Sequence, residues 1–215
     1  MKYKTDFAQF QSAYTTKYPN ALRMRAYLPP LKGKSVLDVG CGSGIDLAYF
    51  ATQQPKKLAG CDLSLELIEV AKTNAPTAEI RNDSFSYISQ KDNVFDVVWS
   101  KYALNCATDT NTSLKEIYRV LKNDGTALIQ VTHPLRTLSL LLSQDYFDDK
   151  TIIEYPISKY KTLLEPHHTV SSWINAITEA GFQIIKCEEI LNRPKEEYSG
   201  VITPSAIIFI LKKQK

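Results

Sequence analysis

The sequence predicts an α/β fold, a doubly wound, mostly parallel sheet of seven strands with helices on both faces. Three observations carry that expectation. Apolar, β-branched runs alternate with stretches of helical periodicity along most of the 215 residues. A glycine-rich turn, "VGCGSGI", joins the first such run to the first helical stretch. Two further apolar runs, "QIIKCEEI" and "SAIIFILKK", close the pattern. Strands that alternate with helices form βαβ units, whose parallel sheet must be covered on both faces.

Each element follows in order. "KSVLDVG" (34–40) is a short buried-strand run ended by glycine, and the apolar spacing turns helical from Ile45 to Phe50. "KKLAGCDLS" (56–64) is a second strand ending at an acid. The helix "SLELIEVAKTNAP" follows it, with Ser64 at its N-cap and a proline stop. "AEIRNDSF" gives a weaker third strand and "NVFDVVWSKYAL" a strongly apolar fourth. "NTSLKEIYRVLKNDG" reads as a helix closed by Gly125, and "TALIQVTH" as the fifth strand. "TVSSWINAITEAGF" is a helix stopped by Gly181, and the last two runs pair antiparallel at one side of the sheet. Residues 134–168 keep no sustained period and read as a small lid over the binding crevice. The chain reads as a single domain over 1–215, with an N-terminal helical cap over 1–30 and the 134–168 insert as the acceptor region.

Composition narrows the function. A 44% hydrophobic, 23% charged chain is an ordinary globular one. Its net charge of +3, with no basic stripe, argues against nucleic acid as a partner. No apolar run reaches the roughly 18 residues of a membrane span, so no membrane partner is expected. The N-terminus lacks the apolar stretch of a secretory signal, which points to the cytoplasm. Cys41, Cys61, Cys106 and Cys187 fall in no metal-ligand spacing and read as small buried hydrophobes, with no metal expected. The terminal "LKKQK" reads as a solvated tail. Oligomeric state is not written in the sequence.

In an open parallel sheet, ligands sit beyond the carboxyl ends of the strands, and the first βα turn is the usual contributor. Gly40, Gly42 and Gly44 lie on that turn, where glycine permits positive φ and close approach of backbone to ligand. A dinucleotide fingerprint would need glycine where Ile45 stands. Asp38, two residues before Gly40, would oppose a pyrophosphate but suits a cationic amine. Asp62, at the end of the second strand, suits ribose hydroxyls, and Asp83 with Ser84, after the third, suits an exocyclic amine. An amino acid head, a ribose and an adenine together describe S-adenosylmethionine.

On "VLDVGCGSG" (36–44), "GCDLS" (60–64), "NDSF" (82–85), "FDVVWSKYALNCATD" (95–109) and "LKEIYRVLKNDGTALIQVTHP" (114–134), the chain resembles the class I S-adenosylmethionine-dependent methyltransferases. Within them it is most similar to the small-molecule branch that includes the ubiquinone and menaquinone-biosynthesis type. The resemblance implies a Rossmann-like fold and S-adenosyl-L-methionine as cofactor. It implies that Asp38, Gly40, Cys41, Gly42 and Gly44 hold the methionine part, Asp62 and Leu63 the ribose, and Asp83 and Ser84 the adenine. It also implies that Ser100 lies beneath the methionine group. Asp38 and Asp62 could instead only cap helices, and Asp83 only form a turn.

A sulfonium methyl is already activated, so the protein chiefly aligns a nucleophile and excludes water. Where the acceptor must lose a proton, His133, His167 and His168 are the candidate bases. Each has a plainer reading as a turn, cap or surface residue. Tyr102, Tyr146, Phe147, Tyr155 and Tyr160 could wall an acceptor pocket, and Tyr14, Tyr18, Arg23 or Arg25 could fold over the cofactor. A small organic acceptor leads. A protein acceptor, a non-catalytic cofactor binder or partner subunit, and a nicotinamide-dependent oxidoreductase remain as alternatives. DNA is disfavoured, because the fourth strand reads "WSKYAL" where amino-methylating DNA enzymes carry a Pro-Pro motif.

Overall fold

The computed structural model describes residues 19–138, 145–148, 151–158, 161–191, 197–198 and 201–214. The first five strands are β1 (Ser35–Val39), β2 (Lys57–Cys61), β3 (Glu79–Arg81), β4 (Phe95–Lys101) and β5 (Leu121–Thr132). A hairpin, β6 (Ile152–Ser158) and β7 (Lys161–Pro166), follows. The last strands are β8 (Phe182–Ile190), β9 (Glu197–Tyr198), β10 (Val201–Ile202) and β11 (Ala206–Lys213). Seven strands make one sheet in the order β3-β2-β1-β4-β5-β11-β8. The pairs from β3 to β5 are parallel, and β11 runs antiparallel to both β5 and β8. This is the doubly wound, mostly parallel sheet that the alternation predicts. No helix among the described residues is long and apolar enough to cross a membrane.

The helices are α1 (Ile45–Ala51), α2 (Leu65–Asn74), α3 (Thr110–Val120), α4 (Pro134–Leu138) and α5 (Val170–Glu179). Strand alternation divides the core between the two faces. On one face Val98 of β4 and Ala127, Ile129 and Val131 of β5 pack with Leu114, Ile117, Trp173 and Ile177 from α3 and α5. On the other, Val97, Trp99 and Leu128 pack with Leu47 and Phe50 of α1, and with Met24 and Leu31 from the segment before β1. Within that segment Pro19–Tyr27, which carries Met24, is a 3-10 helix, and Leu31 follows it. The rest of the predicted helical cap, residues 1–18 with Tyr14 and Tyr18, lies outside the described residues.

Two local expectations need correction. Helix α3, capped by Asp109 accepting from the Thr112 N–H, ends at Val120 rather than Gly125, and Leu121 already turns extended at φ −76°, ψ 136°. The cause is Lys213, which sits in β11 rather than in a solvated tail. Its Nζ donates to the carbonyls of Tyr118 (2.7 Å) and Leu121 (2.9 Å) and to Asn93 Oδ1 (3.0 Å). A buried ammonium thus satisfies carbonyls that a further helical turn would otherwise have to bond.

The insert is also more ordered than its sequence suggests, since it contains α4 and the β6–β7 hairpin. Proline at position 156 and a register shift between Pro156 and Ser158 hide the strand period.

Candidate active site

The turn after β1 is fixed by backbone geometry before any ligand is considered. Gly40, Gly42 and Gly44 have φ of 75°, 54° and 78°, values at which a side chain is strained. The Gly40 and Cys41 N–H groups both donate to the Cys61 carbonyl, at 2.8 and 2.9 Å, tying the turn to the end of β2. A Cβ on Gly40 would stand 2.2 Å from the Ala103 Cβ and 3.4 Å from Phe85 Cε1. The turns after β1, β3 and β4 therefore meet at that one glycine. Gly44 has a different duty: its Cβ would strike the backbone of Ala71, so it lets α1 pack against α2.

Asp62 holds the centre of this arrangement. Its Oδ2 accepts from the Gly42 N–H and its Oδ1 from the Ser64 N–H, both at 2.9 Å. Asn82, after β3, donates to the carbonyls of Asp62 and Leu63, so the third loop braces the second. Leu63 stands exposed beside them. Asp83 accepts from the backbone N–H and hydroxyl of Ser89, and Ser84 bridges Tyr87. Asp83 therefore closes a turn. Ser100 is buried, with its hydroxyl donating to the Val39 carbonyl at 2.9 Å. It pins the ends of β1 and β4 together beneath the loop.

Charge at the loop is negative. Asp38 is buried, and burial first, then Asp46 and Asp62, pushes its carboxyl well above the usual range. Asp46, in the first turn of α1, is held by Arg25 (2.6 Å) and by Lys101. Burial alone would raise Asp46, but the Lys101 and Arg25 cations prevail and hold it below the ordinary carboxylate value. Arg25 also stacks on Tyr49, 4.0 Å from the ring centre. The two cations that act on Asp38 are thus both engaged by Asp46, which leaves two acids, Asp38 and Asp62, to face the glycine turn. Burial favours the neutral form of Asp38, so Asp62 supplies the negative charge at the turn, and an acid beside the glycine backbone suits a cationic amino acid nucleoside better than a pyrophosphate. The Cys41 and Cys61 thiols are pushed up by burial and are inert, while Cys187, expected to be buried, is exposed.

The three histidines are occupied in other ways. Buried His133 accepts from the Leu135 N–H at Nδ1 (3.0 Å), and its Nε2 faces Glu189 at 2.7 Å, so both ring nitrogens close the turn after β5. His167 is buried with Nε2 2.8 Å from the Tyr146 carbonyl. His168 packs 4.8 Å from the Trp173 ring, and its buried Nε2 has no partner. Burial, then His167, lowers its pKa to about 4. The structure does not bring these rings together as a base at the loop.

Of the expected aromatic wall, Tyr146 accepts the Val170 N–H, Phe147 is exposed, and Tyr160 lies outside the described residues, as does the Tyr155 side chain. Arg23 pairs with Glu188 on the outermost strand β8, and Arg25 pairs with Asp46, so neither is free to bind a carboxylate.

Sequence reasoning missed a second polar centre. Glu165 of β7 is 4% exposed, and its Oε2 accepts from Asn105 Nδ2 at 2.9 Å and from the Thr132 hydroxyl at 3.3 Å. Asn105 lies just past Ala103, on the turn that touches Gly40. Burial pushes the Glu165 carboxyl up to about 7, against the Asn105 and Thr132 hydrogen bonds and the Arg136 charge. The available signal was an acid inside the apolar "TLLEP", which reads as surface when the hairpin is not seen.

The fold, the acid-flanked glycine turn and the converging loops define a nucleoside-binding α/β enzyme. Residues 37–129 match the family model described as "Methyltransferase domain". A proposed S-adenosylmethionine-dependent methyltransferase from Listeria monocytogenes superposes with a TM-score of 0.77 at 26% identity, covering 90% of this chain and 97% of that one. The malonyl-[acyl-carrier protein] O-methyltransferase of Herminiimonas arsenicoxydans is 28% identical over 185 residues, 84% of this chain and 65% of that protein. The demethylmenaquinone methyltransferase of Streptomyces avermitilis is 31% identical over 102 residues, 47% of this chain and 44% of that protein. The chain thus spans less than two thirds of either of these two curated relatives. The domain over residues 37–129 is that of a class I S-adenosylmethionine-dependent methyltransferase, with S-adenosylmethionine as the cofactor.

Proposed function

We propose that this chain, working as one domain, transfers a methyl group to a small organic acceptor held between the turn after β4 and the β6–β7 hairpin. The observation that carries the proposal is the meeting of three strand-end turns at Gly40, with the Ala103 and Asn105 turn reaching from the cofactor cradle to the hairpin. Such a short bridge suits an acceptor of a few rings or carbons better than a folded protein. Similarity to enzymes named for a quinone and for a malonyl carrier supports the same reading.

The bound cofactor supplies a methyl on a sulfonium, which needs no further activation. Asp38, Gly40, Cys41, Gly42 and Gly44 would hold its methionine part, and Asp62 and Leu63 its ribose. Asp83 and Ser84 would meet the adenine, which requires Ser89 to share the Asp83 carboxylate. Ser100 acts from below, by keeping the β1 and β4 ends in register. The test is isothermal titration with S-adenosylmethionine and S-adenosylhomocysteine, followed by radiolabelled methyl transfer to a panel of phenols, enols, amines and thiols, with casein as the protein control. Saturable binding with transfer to a small acceptor is the expected result. Transfer to casein alone, or binding without any transfer, would replace this reading with a protein acceptor or a non-catalytic binder.

A further inference from the structure

The β6–β7 hairpin is patterned inside out. Across the ladder Ile153 pairs with Glu165, and both are buried, at 2% and 4% exposure. Their neighbours Ile152 and Leu164 point outward, each 55% exposed. A hairpin serving only the core would bury the leucine and leave the glutamate in water. A local choice that opposes the global pattern marks a functional position.

The hydrogen bonds of this centre leave acceptors over. Both bonds to Glu165 end on Oε2, and Oε1 accepts none among the described residues. Asn105 is 3% exposed, and its Oδ1 is buried with no partner. A buried acceptor without a partner is costly, and Asn105 Oδ1 is one, standing beside the Glu165 carboxyl. It asks for an O–H or N–H donor that the described residues do not supply. The location also fits a ligand: Asn105 follows β4, Thr132 ends β5, and both strand ends open on the cofactor side of the sheet. Just before Ala103, Tyr102 is held at φ 55°, a strained value of the kind that collects at functional turns. The hairpin shares no ladder with the seven-stranded sheet and meets it here through Glu165.

We propose that Glu165 is the acceptor-site base, and that its Oε1 and Asn105 Oδ1 share the single O–H of the methyl acceptor, phenolic or enolic, as a three-centre hydrogen bond. This rests on the methyltransferase reading and adds the acceptor's chemical class: an O-nucleophile that arrives protonated. As the new C–O bond forms, the acceptor's O–H bond breaks and its proton passes to Glu165 Oε1. The departing sulfur keeps the electron pair of the broken S–CH3 bond and becomes a neutral thioether. Asn105 Nδ2 and the Thr132 hydroxyl position the carboxylate through Oε2. Burial brings Glu165 to about 7, where it can both accept and release a proton near neutral pH. The Arg136 cation and the Asn105 and Thr132 hydrogen bonds oppose the effect of burial on it, and Glu165 in turn helps to push up the nearby Cys106 thiol.

The experiment compares the wild type with Glu165→Gln and Asn105→Ala. Binding of S-adenosylhomocysteine is measured first. Then 4-nitrophenol, whose absorbance separates phenol from phenolate, is titrated into the S-adenosylhomocysteine-loaded protein between pH 5 and pH 9. Expected are saturable binding to the wild type, at least tenfold weaker binding in both variants, and S-adenosylhomocysteine affinity within about twofold throughout. The bound probe should ionise at a pH shifted from its free value in the wild type but not in Glu165→Gln. Because Gln removes a buried acid, that variant is expected to melt no lower than the wild type at pH 8. No probe binding to the loaded wild type, or equal binding and equal ionisation in all three proteins, overturns the assignment. If S-adenosylhomocysteine itself fails to bind the wild type, the cofactor reading falls, and this inference with it.

Discussion

The backbone N–H of Gly42 lies 2.9 Å from Oδ2 of Asp62, so one carboxylate at the end of β2 holds the middle of the glycine turn. Its other oxygen caps the step into α2 through Ser64. Replacing Asp62 with alanine frees two backbone donors and removes the acid proposed to meet the ribose. We expect at least a tenfold loss of S-adenosylhomocysteine affinity by titration calorimetry, about 1.4 kcal/mol or more. Asp62→Asn, which can still accept from Gly42, should recover part of it. Unchanged affinity in Asp62→Ala would remove this acid from the cofactor site.

Gly40 tests whether the three turns must meet closely. At φ 75°, with Ala103 Cβ 2.2 Å from where a Cβ would stand, Gly40→Ala combines backbone strain with a clash. The expected cost is roughly 2–4 kcal/mol in urea unfolding, with loss of cofactor binding. Adding Ala103→Gly relieves the clash but not the dihedral, so the double variant should recover about half of the stability. Full recovery would show that strain at this position is negligible.

Lys213 carries a structural load that its sequence conceals. Replacing it with methionine removes the ammonium from over the Tyr118 ring and leaves the Tyr118 and Leu121 carbonyls without it. Charge-assisted bonds of this kind are worth about 1.5–3 kcal/mol. A fall in Tm of roughly 4–10 °C is expected by calorimetry, while cofactor affinity stays as it was, because Lys213 is remote from the glycine turn. A Tm within 1 °C of wild type would place Lys213 in solvent, as the bare sequence suggests.

What the sequence exposes and what it hides separate along a physical line. The strands, the glycine turn and the Ser64 cap are legible because they depend on residues adjacent in the chain. Glu165 against Asn105, Asp46 between Arg25 and Lys101, and Lys213 under α3 depend on side chains brought together across 60, 55 and 95 positions or fewer. No local period reports such encounters. Histidine chemistry suggests bases, yet His133 spends its ring nitrogens on the Leu135 N–H and the Glu189 carboxylate, and His167 turns its Nε2 to the Tyr146 carbonyl. Acids and lysines that look solvated in the sequence carry the buried electrostatics instead.

Glu165 and His168 set opposing pH slopes on the stability of one segment. Glu165 rises from 4.5 to about 7 on folding. Its contribution is therefore fully present below pH 4.5 and is lost as pH climbs through about 7. His168 falls from 6.5 to about 4. Its contribution is present above pH 6.5 and is lost as pH drops through about 4. Each shift corresponds to on the order of 3 kcal/mol, and between pH 4.5 and 6.5 the two slopes cancel. Asp38, His133 and the remaining groups add a background slope common to all three proteins, so the wild type is the reference curve. Relative to it, Glu165→Gln should gain stability steadily from pH 4.5 to 6.5, and His168→Phe should lose it over the same range. Urea denaturation at half-unit pH steps measures all three curves. Parallel curves for the two variants would mean that neither group is buried in its uncharged form.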